Sequence, residues 1–248
     1  MSRAQKAEEL RRLHNGPEML ILPNAWDAAS ARTLEKAGYP AIATTSGGVA
    51  NSLGWKDGEN MPADEMFAAV QRIASAVEIP VTADIEGGYG LHPDEVVAKL
   101  VATGAVGMNL EDSDHSGAGV LIEAEKQAAR LAAVRKAADK RGVPLVINAR
   151  VDVFVRQFGP EESRLDEALR RARLYLQAGA DCLFPIILAD EDTIDAFVAA
   201  IGAPVNIMYL PTIPSAARLR EIGVRRLTFG SGLQRVAMAR VEEFLRDF

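Results

Sequence analysis

Short apolar runs alternate with longer amphipathic stretches along the whole chain. The runs fall at 19–24, 41–45, 81–85, 106–110, 145–149, 182–187, 205–210 and 226–229. Between them, apolar residues recur at helical spacing. Met66, Ala69, Val70, Ile73 and Val77 form one stripe, and Leu233, Val236, Val241, Phe244 and Phe248 form another. The punctuation is regular: a helical stretch ends in Gly, and an apolar run begins one or two residues later, often after Pro. Gly38-Tyr-Pro40, Gly104-Ala105, Gly142-Val-Pro144, Gly179-Ala180, Gly202-Ala-Pro204 and Gly223-Val224 follow this pattern. Gly supplies the left-handed residue just past a helix, and Pro cannot continue one. Strand candidates alternating with helices predict parallel strands joined by crossovers. Eight such units in about 250 residues have the size of a (β/α)8 barrel. The predicted fold class is therefore α/β, a single (β/α)8 (TIM) barrel domain over 1–248. An open doubly wound sheet is the alternative, because periodicity does not report closure.

Composition narrows the partners. The chain has 248 residues, 48% apolar and 25% charged, with Lys plus Arg 28 against Asp plus Glu 34 and a net charge of −6. That balance lacks the basic footprint of a nucleic-acid binder. No uncharged apolar run is long enough to span a bilayer, so no membrane partner is expected. The first ten residues are charged and lack the apolar core of a signal peptide, which predicts a cytoplasmic protein. The lone Cys182 excludes an intramolecular disulfide and reads as a small buried apolar residue. His14 and His92 read as surface residues.

The polar residues collect where the predicted strands end, which is where barrel enzymes carry their reactive groups. Side chains two apart on a strand share a face. Asp84 with Glu86, Asn109 with Glu111, and Asn148 with Arg150 therefore pair up on consecutive strands. Three carboxylates around one mouth would repel unless a cation sat among them, and oxygen-only ligands suit Mg2+ or Mn2+. Arg150 would then face a bound anion in two-point geometry. The plainer alternative is that each acid caps a helix or pairs with an arginine. Ser46-Gly47-Gly48 offers backbone N–H groups to an anion, or is simply a loop. The stretch 51–60 is longer than a connection needs and reads as a lid, with Asp57 its functional acid. His115 is either an acid or base arriving on a loop or a solvated histidine. Tyr89 reads as packing against the lid, and Trp26 and Trp55 as pocket walls or buried aromatics.

Taken in order, the motifs resemble the isocitrate lyase/phosphoenolpyruvate mutase superfamily over nearly the whole chain. They are Leu22-Pro-Asn-Ala-Trp-Asp27, Thr45-Ser-Gly-Gly48, Asp84-Ile-Glu-Gly-Gly-Tyr-Gly90, Asn109-Leu-Glu-Asp112, Asn148-Ala-Arg-Val-Asp152, Pro204-Val-Asn-Ile-Met208 and Thr228-Phe-Gly-Ser-Gly-Leu233. The resemblance implies a Mg2+-dependent barrel that stabilises an enolate-like intermediate of a small 2-oxo or 2-hydroxy carboxylate. It implies that Ser46 and Gly47 hold the substrate carboxylate, with Trp26 and Thr45 beside them, and that Arg150 and Asn206 contact substrate. Asp84 would ligate the metal directly, with Asp57, Glu86 and Glu111 reaching it or its waters. Arg150, Asp57, Glu111 and His115 form the catalytic set. A homo-oligomer, dimer or tetramer, with the last helix exchanged between subunits is also implied.

The departures bear on the reaction. The family's Asp-x-Asp is Asp84-Ile-Glu86 here, and Phe184-Pro-Ile186 lacks the Glu that the lyases place after Pro. The lyases' Lys-Lys-Cys-Gly-His loop is replaced by Asp112-Ser-Asp-His-Ser-Gly-Ala-Gly119, which has no Cys. The Lys and Asn of phosphonopyruvate enzymes are missing from it too. Together these features point to a carbon–carbon lyase or decarboxylase of an oxaloacetate-like acid. Phosphonopyruvate or phosphoenolpyruvate mutase or hydrolase chemistry, and a non-catalytic 2-oxo acid binding protein, are the alternatives.

Overall fold

A computed structural model of the chain describes residues 1–117, 120–246 and 248. Ala118 and Gly119 of the 112–122 loop lie outside the described residues. The first half runs α1 (Arg3–His14), β1 (Leu20–Ile21), β2 (Asn24–Ala25), α2 (Ala28–Lys36), β3 (Ile42–Thr44), α3 (Ser46–Ser52), α4 (Ala63–Ala74), β4 (Val81–Asp84), α5 (Pro93–Thr103) and β5 (Gly107–Glu111). The second runs α6 (Ala124–Lys140), β6 (Val146–Val151), a 3-10 turn (Glu161–Ser163), α7 (Arg164–Gln177), β7 (Cys182–Pro185), α8 (Glu191–Ile201), β8 (Asn206–Met208), α9 (Ala216–Ile222), β9 (Arg226–Thr228) and α10 (Gly232–Leu245).

The strands close on themselves. One hydrogen-bonded order is β2-β3-β4-β5-β6-β7, the other β1-β9-β8, and every pair is parallel. A parallel bridge between Leu183 and Val205 joins β7 to β8. On the other side, β1 and β2 are two halves of one predicted strand, interrupted at Leu22-Pro23. Pro23 has no N–H to donate, so the segment changes partner there. The Leu22 N–H donates to Leu227 O and the Ala43 N–H to Pro23 O, both at 2.9 Å. The ring of strands, each half of the first counted with its partner, is the closed barrel that the repeat of runs and helices predicted.

The register sets the site. Asp84 stands opposite Asn109, Asn109 opposite Asn148, and Glu111 opposite Arg150. Two of the three pairs read from two-residue spacing, Asn109 with Glu111 and Asn148 with Arg150, thus sit side by side on β5 and β6, with Asp84 beside Asn109 at the end of β4. Non-glycine residues with positive φ are Glu59, Glu86, Tyr89, Gln157 and Ile187. All five follow the C-terminal ends of strands, so backbone strain gathers at the mouth and nowhere else among the described residues.

The opposite end is closed by α1. Ser2 and Gln5 form a capping box at its start. Ala7, Leu10 and His14 are buried, packing with Leu20, Leu22, Ala41, Ala43, Val106 and Val146. Gly107 makes the plug fit: a Cβ there would lie 2.9 Å from Val146 O and 3.0 Å from the Leu10 side chain. His14 is therefore not a surface residue, because its place on the inward face of α1 puts it under the barrel. Its Nδ1 is 2.7 Å from Leu10 O and must donate, which leaves Nε2 to accept from Arg226 Nη1 at 3.3 Å. Burial, reinforced by the Arg226 charge, pulls His14 down to about 3 from 6.5. The unfolded chain thus takes up this proton first as pH falls. The stability owed to neutral His14 is complete above about pH 6.5 and is lost toward pH 3, at about 1.4 kcal/mol per pH unit. Urea unfolding across this window is expected to show a His14→Gln variant losing less stability on acidification than the native chain. Parallel pH slopes would remove His14 from the account.

The last helix behaves differently from the others. Gln234 is its buried residue, donating through Nε2 to Gly48 O and Ser52 Oγ. Val236, Val241, Phe244 and Phe248 of the predicted stripe are exposed, Phe248 by 92%. Among the described residues, no helix is long and apolar enough to cross a membrane.

Candidate active site

Arg150 sits at the centre of the mouth. Its Nε donates to Asp152 Oδ1 at 2.7 Å and its Nη2 to Asp152 Oδ2 at 2.8 Å, while Nη1 lies 2.6 Å from Glu111 Oε2. Asp152 takes two of the five N–H groups, and Glu111 Oε2 lies close to Nη1 as an ion pair without accepting a hydrogen bond, so N–H groups remain for an anion. Burial weakens the charge, but Glu111 and Asp152 outweigh it and hold Arg150 firmly cationic. Burial alone would raise Asp152, and the Arg150 charge and hydrogen bonds reverse this, so its carboxyl lies below the usual range.

Asp152 is held in turn. Ser113 Oγ donates to its Oδ2, Arg156 Nε donates to Ser113 Oγ at 2.8 Å, and the Asp152 N–H donates to Asp112 Oδ1 at 2.8 Å. Asp112 is fully buried and accepts from Arg171 Nη1 at 2.9 Å and Tyr175 Oη at 2.6 Å, both on α7. A chain of charge-assisted hydrogen bonds therefore runs from α7 to Arg150. The motifs contained Asp112 and Asp152, yet their part as supports was missed. For Asp152 the signal was available, since it stands two residues beyond Arg150. Arg171 and Tyr175 meet Asp112 only through the fold.

Glu111 carries His115. His115 Nε2 and Glu111 Oε1 are 2.5 Å apart, so the loop histidine reaches the mouth. Burial raises Glu111 to about 7 against the pull of Arg150 and His115. The hydrogen bond to Glu111 raises His115 in return. Both groups thus hold a proton more readily than they would free in water, and the hydrogen-bond geometry places the imidazole Nε2 directly on the Glu111 carboxyl.

The acids at β4 are arranged less simply than their spacing suggested. Asp84 Oδ2 accepts from the Ser46 N–H at 3.3 Å and Ser46 Oγ at 3.1 Å, while its buried Oδ1 accepts no hydrogen bond among the described residues. Glu86 lies past the strand end at φ 52°. Its Oε2 accepts from the Gly58 and Glu59 N–H groups at 2.7 and 2.6 Å, and its Oε1 from Tyr89 Oη at 2.7 Å. Glu86 thus fastens the 51–60 lid to the loop after β4. Burial raises both Asp57 and Glu86, and neighbouring acids add to this. Among the described residues, no three His, Cys, Asp or Glu side chains converge to hold a metal. The oxygen of Asp84 left without a hydrogen bond is what the site offers a divalent cation, and this fits a hard, mostly hydrated ion better than a cage of carboxylates.

Ser46-Gly47-Gly48 is the first turn of α3 and not a loop. Thr45 caps it, accepting from the Gly48 N–H at 3.3 Å and sharing a 2.9 Å hydrogen bond with Ser231 Oγ. A Cβ at Gly47 would come within 2.9 Å of both Asp57 Oδ2 and Ser231 Oγ. The anion that Ser46 faces in this structure is Asp84. Asn206 is fully buried lower in the barrel, opposite Arg226, and accepts from Thr228 Oγ1 at 3.2 Å. Trp26 lines a separate cavity of about 470 Å³ with Asp27 and Arg32. Cys182 is buried, and burial pushes its thiol up to about 12, so it is no nucleophile.

A parallel barrel with a guanidinium and clustered carboxylates at its C-terminal mouth defines an α/β-barrel enzyme-like site. The phosphoenolpyruvate phosphomutase family profile matches residues 10–248, and the chain belongs to that family. It is 34% identical to an uncharacterised protein of Mycobacterium tuberculosis over 88% of this chain and 80% of the relative. It is 27% identical to the probable 2-methylisocitrate lyase 2 of Corynebacterium glutamicum, over 98% and 80%. A Burkholderia cenocepacia J2315 structure, provisionally assigned as a phosphonomutase, superposes with a TM-score of 0.92 at 42% identity, covering 98% and 99%. A 2,3-dimethylmalate lyase structure of the phosphoenolpyruvate mutase/isocitrate lyase superfamily gives 0.84 at 27% identity, covering 98% and 86%. The superfamily is one of lyases and mutases.

Proposed function

We propose that this chain is a Mg2+-dependent lyase of a small 2-oxo or 2-hydroxy carboxylate, cleaving a C–C bond or decarboxylating an oxaloacetate-like acid. The observation that carries the reading is Arg150, hydrogen-bonded to Asp152 and ion-paired with Glu111, with N–H groups left to bind a carboxylate. A divalent cation at Asp84 would act as a Lewis acid on the substrate's 2-oxo oxygen. Arg150 orients the carboxylate, the docked lid excludes water, and a proton held on the Glu111–His115 pair is available to the carbon left after cleavage. This proton source would stand in for the missing loop Cys. Turnover of a panel of 2-oxo and 2-hydroxy acids with Mg2+ or Mn2+, abolished by EDTA, is the expected result. A panel without product would overturn the reading.

His115→Gln is expected to lower kcat by about 10²–10⁴-fold with KM little changed. Unchanged kcat in steady-state assays would remove His115 from proton transfer. The 42% identity to a provisional phosphonomutase supports P–C chemistry as a second reading. Phosphorus NMR on phosphonopyruvate and phosphoenolpyruvate distinguishes it, since either product is visible directly.

The exposed stripe of α10 supports a homo-oligomer, dimer or tetramer, in which a second copy covers Val241 and Phe244. Light scattering is expected to give an oligomeric mass for the native chain and a monomeric one for Val241→Glu/Phe244→Glu. A native monomer would sink this proposal.

A further inference from the structure

Beside the mouth lies a second cavity of about 320 Å³, lined by Glu59, Gly87, Gly90, Asp114, His115 and Arg130 among others. None of Asp84, Glu86, Glu111 or Arg150 lines it. His115 is the partition: its Nε2 faces Glu111, while a Cβ on Gly87 would touch its Cδ2 at 3.2 Å. Arg130 projects from α6 into this space. Its Nη2 lies 2.7 Å from where a Cβ on Gly88 would stand, so the glycine makes room for the guanidinium. Gly88 also has a φ of 85°, which other residues rarely adopt.

Among the described residues, Arg130 has no hydrogen bond or ion pair, although it is only partly exposed. Its nearest influence is the charge of Glu59, which is not within ion-pair distance. The other arginines of the barrel wall are engaged: Arg135 with Asp181, Arg171 with Asp112 and Arg150 with Asp152. A half-buried guanidinium with all its donors free is a recognition element for a carboxylate. The remaining charge in the cavity is acidic. Glu59 gives Oε1 to the Tyr89 N–H at 2.5 Å, leaving its second oxygen as an acceptor. Asp114 accepts from the Ser116 N–H at 2.9 Å. A simple anion would meet repulsion from these two acids. A ligand that places a carboxylate on Arg130 and a hydrogen-bond donor toward Glu59 satisfies both.

We propose that this cavity is a second ligand site, separate from the mouth, for a small carboxylate that carries a hydroxyl or ammonium donor. Its occupant packs against His115, which also meets Glu111, so it bears on the position of the loop that carries this histidine.

The test is calorimetry in EDTA with L-malate, L-aspartate and succinate, on the native chain, Arg150→Lys, Arg130→Gln and the double variant. Arg130 has no ion partner, so its replacement strands no buried carboxylate and the fold is expected to persist, as circular dichroism would report. With the mouth weakened by Arg150→Lys, one equivalent of malate or aspartate is expected to bind. Succinate, which has no donor, is expected to bind at least 10-fold more weakly, and the double variant to lose at least 10-fold in affinity. Native crystals soaked in malate are expected to show the carboxylate on Arg130. Equal binding of succinate, affinity untouched by Arg130→Gln, or malate seen only at the mouth would each overturn the proposal. Because the assay needs no turnover, its failure is separable from failure of the lyase reading.

Discussion

Replacing Arg150 by Lys is expected to lower kcat/KM on the best panel substrate by about 10²–10³-fold, with Tm shifted by only a few degrees, about what 1 kcal/mol would cause. The charge survives this change, but the fork does not. Arg150 donates from Nε and Nη2 to the two oxygens of Asp152, sets Nη1 beside Glu111 as an ion pair, and still has hydrogens for an anion. An ammonium has three donors on one point and cannot reach both acids and a substrate carboxylate together. Lys is the informative replacement because Met would leave Asp152 and Glu111 uncompensated in a buried site, costing about 3–5 kcal/mol and confusing activity with folding. Steady-state kinetics beside thermal melts decides the matter. A lysine variant with native kcat/KM would show that Arg150 only holds the mouth together.

The second large effect is expected at Asp84. Asp84→Asn keeps the size of the side chain and an oxygen to accept from Ser46, so the fold is expected to hold. It removes the negative charge from a mouth carboxylate whose buried Oδ1 accepts no hydrogen bond among the described residues. Mn2+ affinity, read by electron paramagnetic resonance, is expected to fall by about 100-fold or more, and turnover to fall below detection. The comparison with Glu86→Gln sharpens the assignment. Glu86 is tied to Gly58, Glu59 and Tyr89, so its neutral variant is expected to loosen the lid and weaken Mn2+ binding far less. Equal losses in the two variants, or native affinity in Asp84→Asn, would overturn the assignment of Asp84 as the direct ligand.

What could be read from the sequence follows physical range. The strands were legible because each is a short apolar run fenced by Gly or Pro, and that signal is local. The pairing of Asn109 with Glu111 and of Asn148 with Arg150 was legible because alternation on a strand is also local. α3 was hidden by Gly47 and Gly48, poor helix formers whose helix exists through the Thr45 cap and its packing under Gln234. The plug helix was missed although Ala7, Leu10 and His14 share one face, because its charged residues dominate the composition there. The support of Arg150 by Asp112, Arg171 and Tyr175 spans many residues of chain, and no spacing rule reports it. Glu86 shows the reverse error: regular alternation was extended one step past the end of β4, where the backbone turns into the left-handed region.

The plug under the barrel also governs traffic. With Ala7, Leu10, Leu22, Ala41, Val106 and Val146 all buried at the floor, nothing among the described residues passes through that end. On the proposed lyase reading, substrate and both fragments would share one doorway beneath the docked lid. The fragment held deeper, against Asp84 and Arg150, would then leave last, and its accumulation would compete directly with the next substrate molecule. A barrel sealed at one end would thereby impose a queue on its own products.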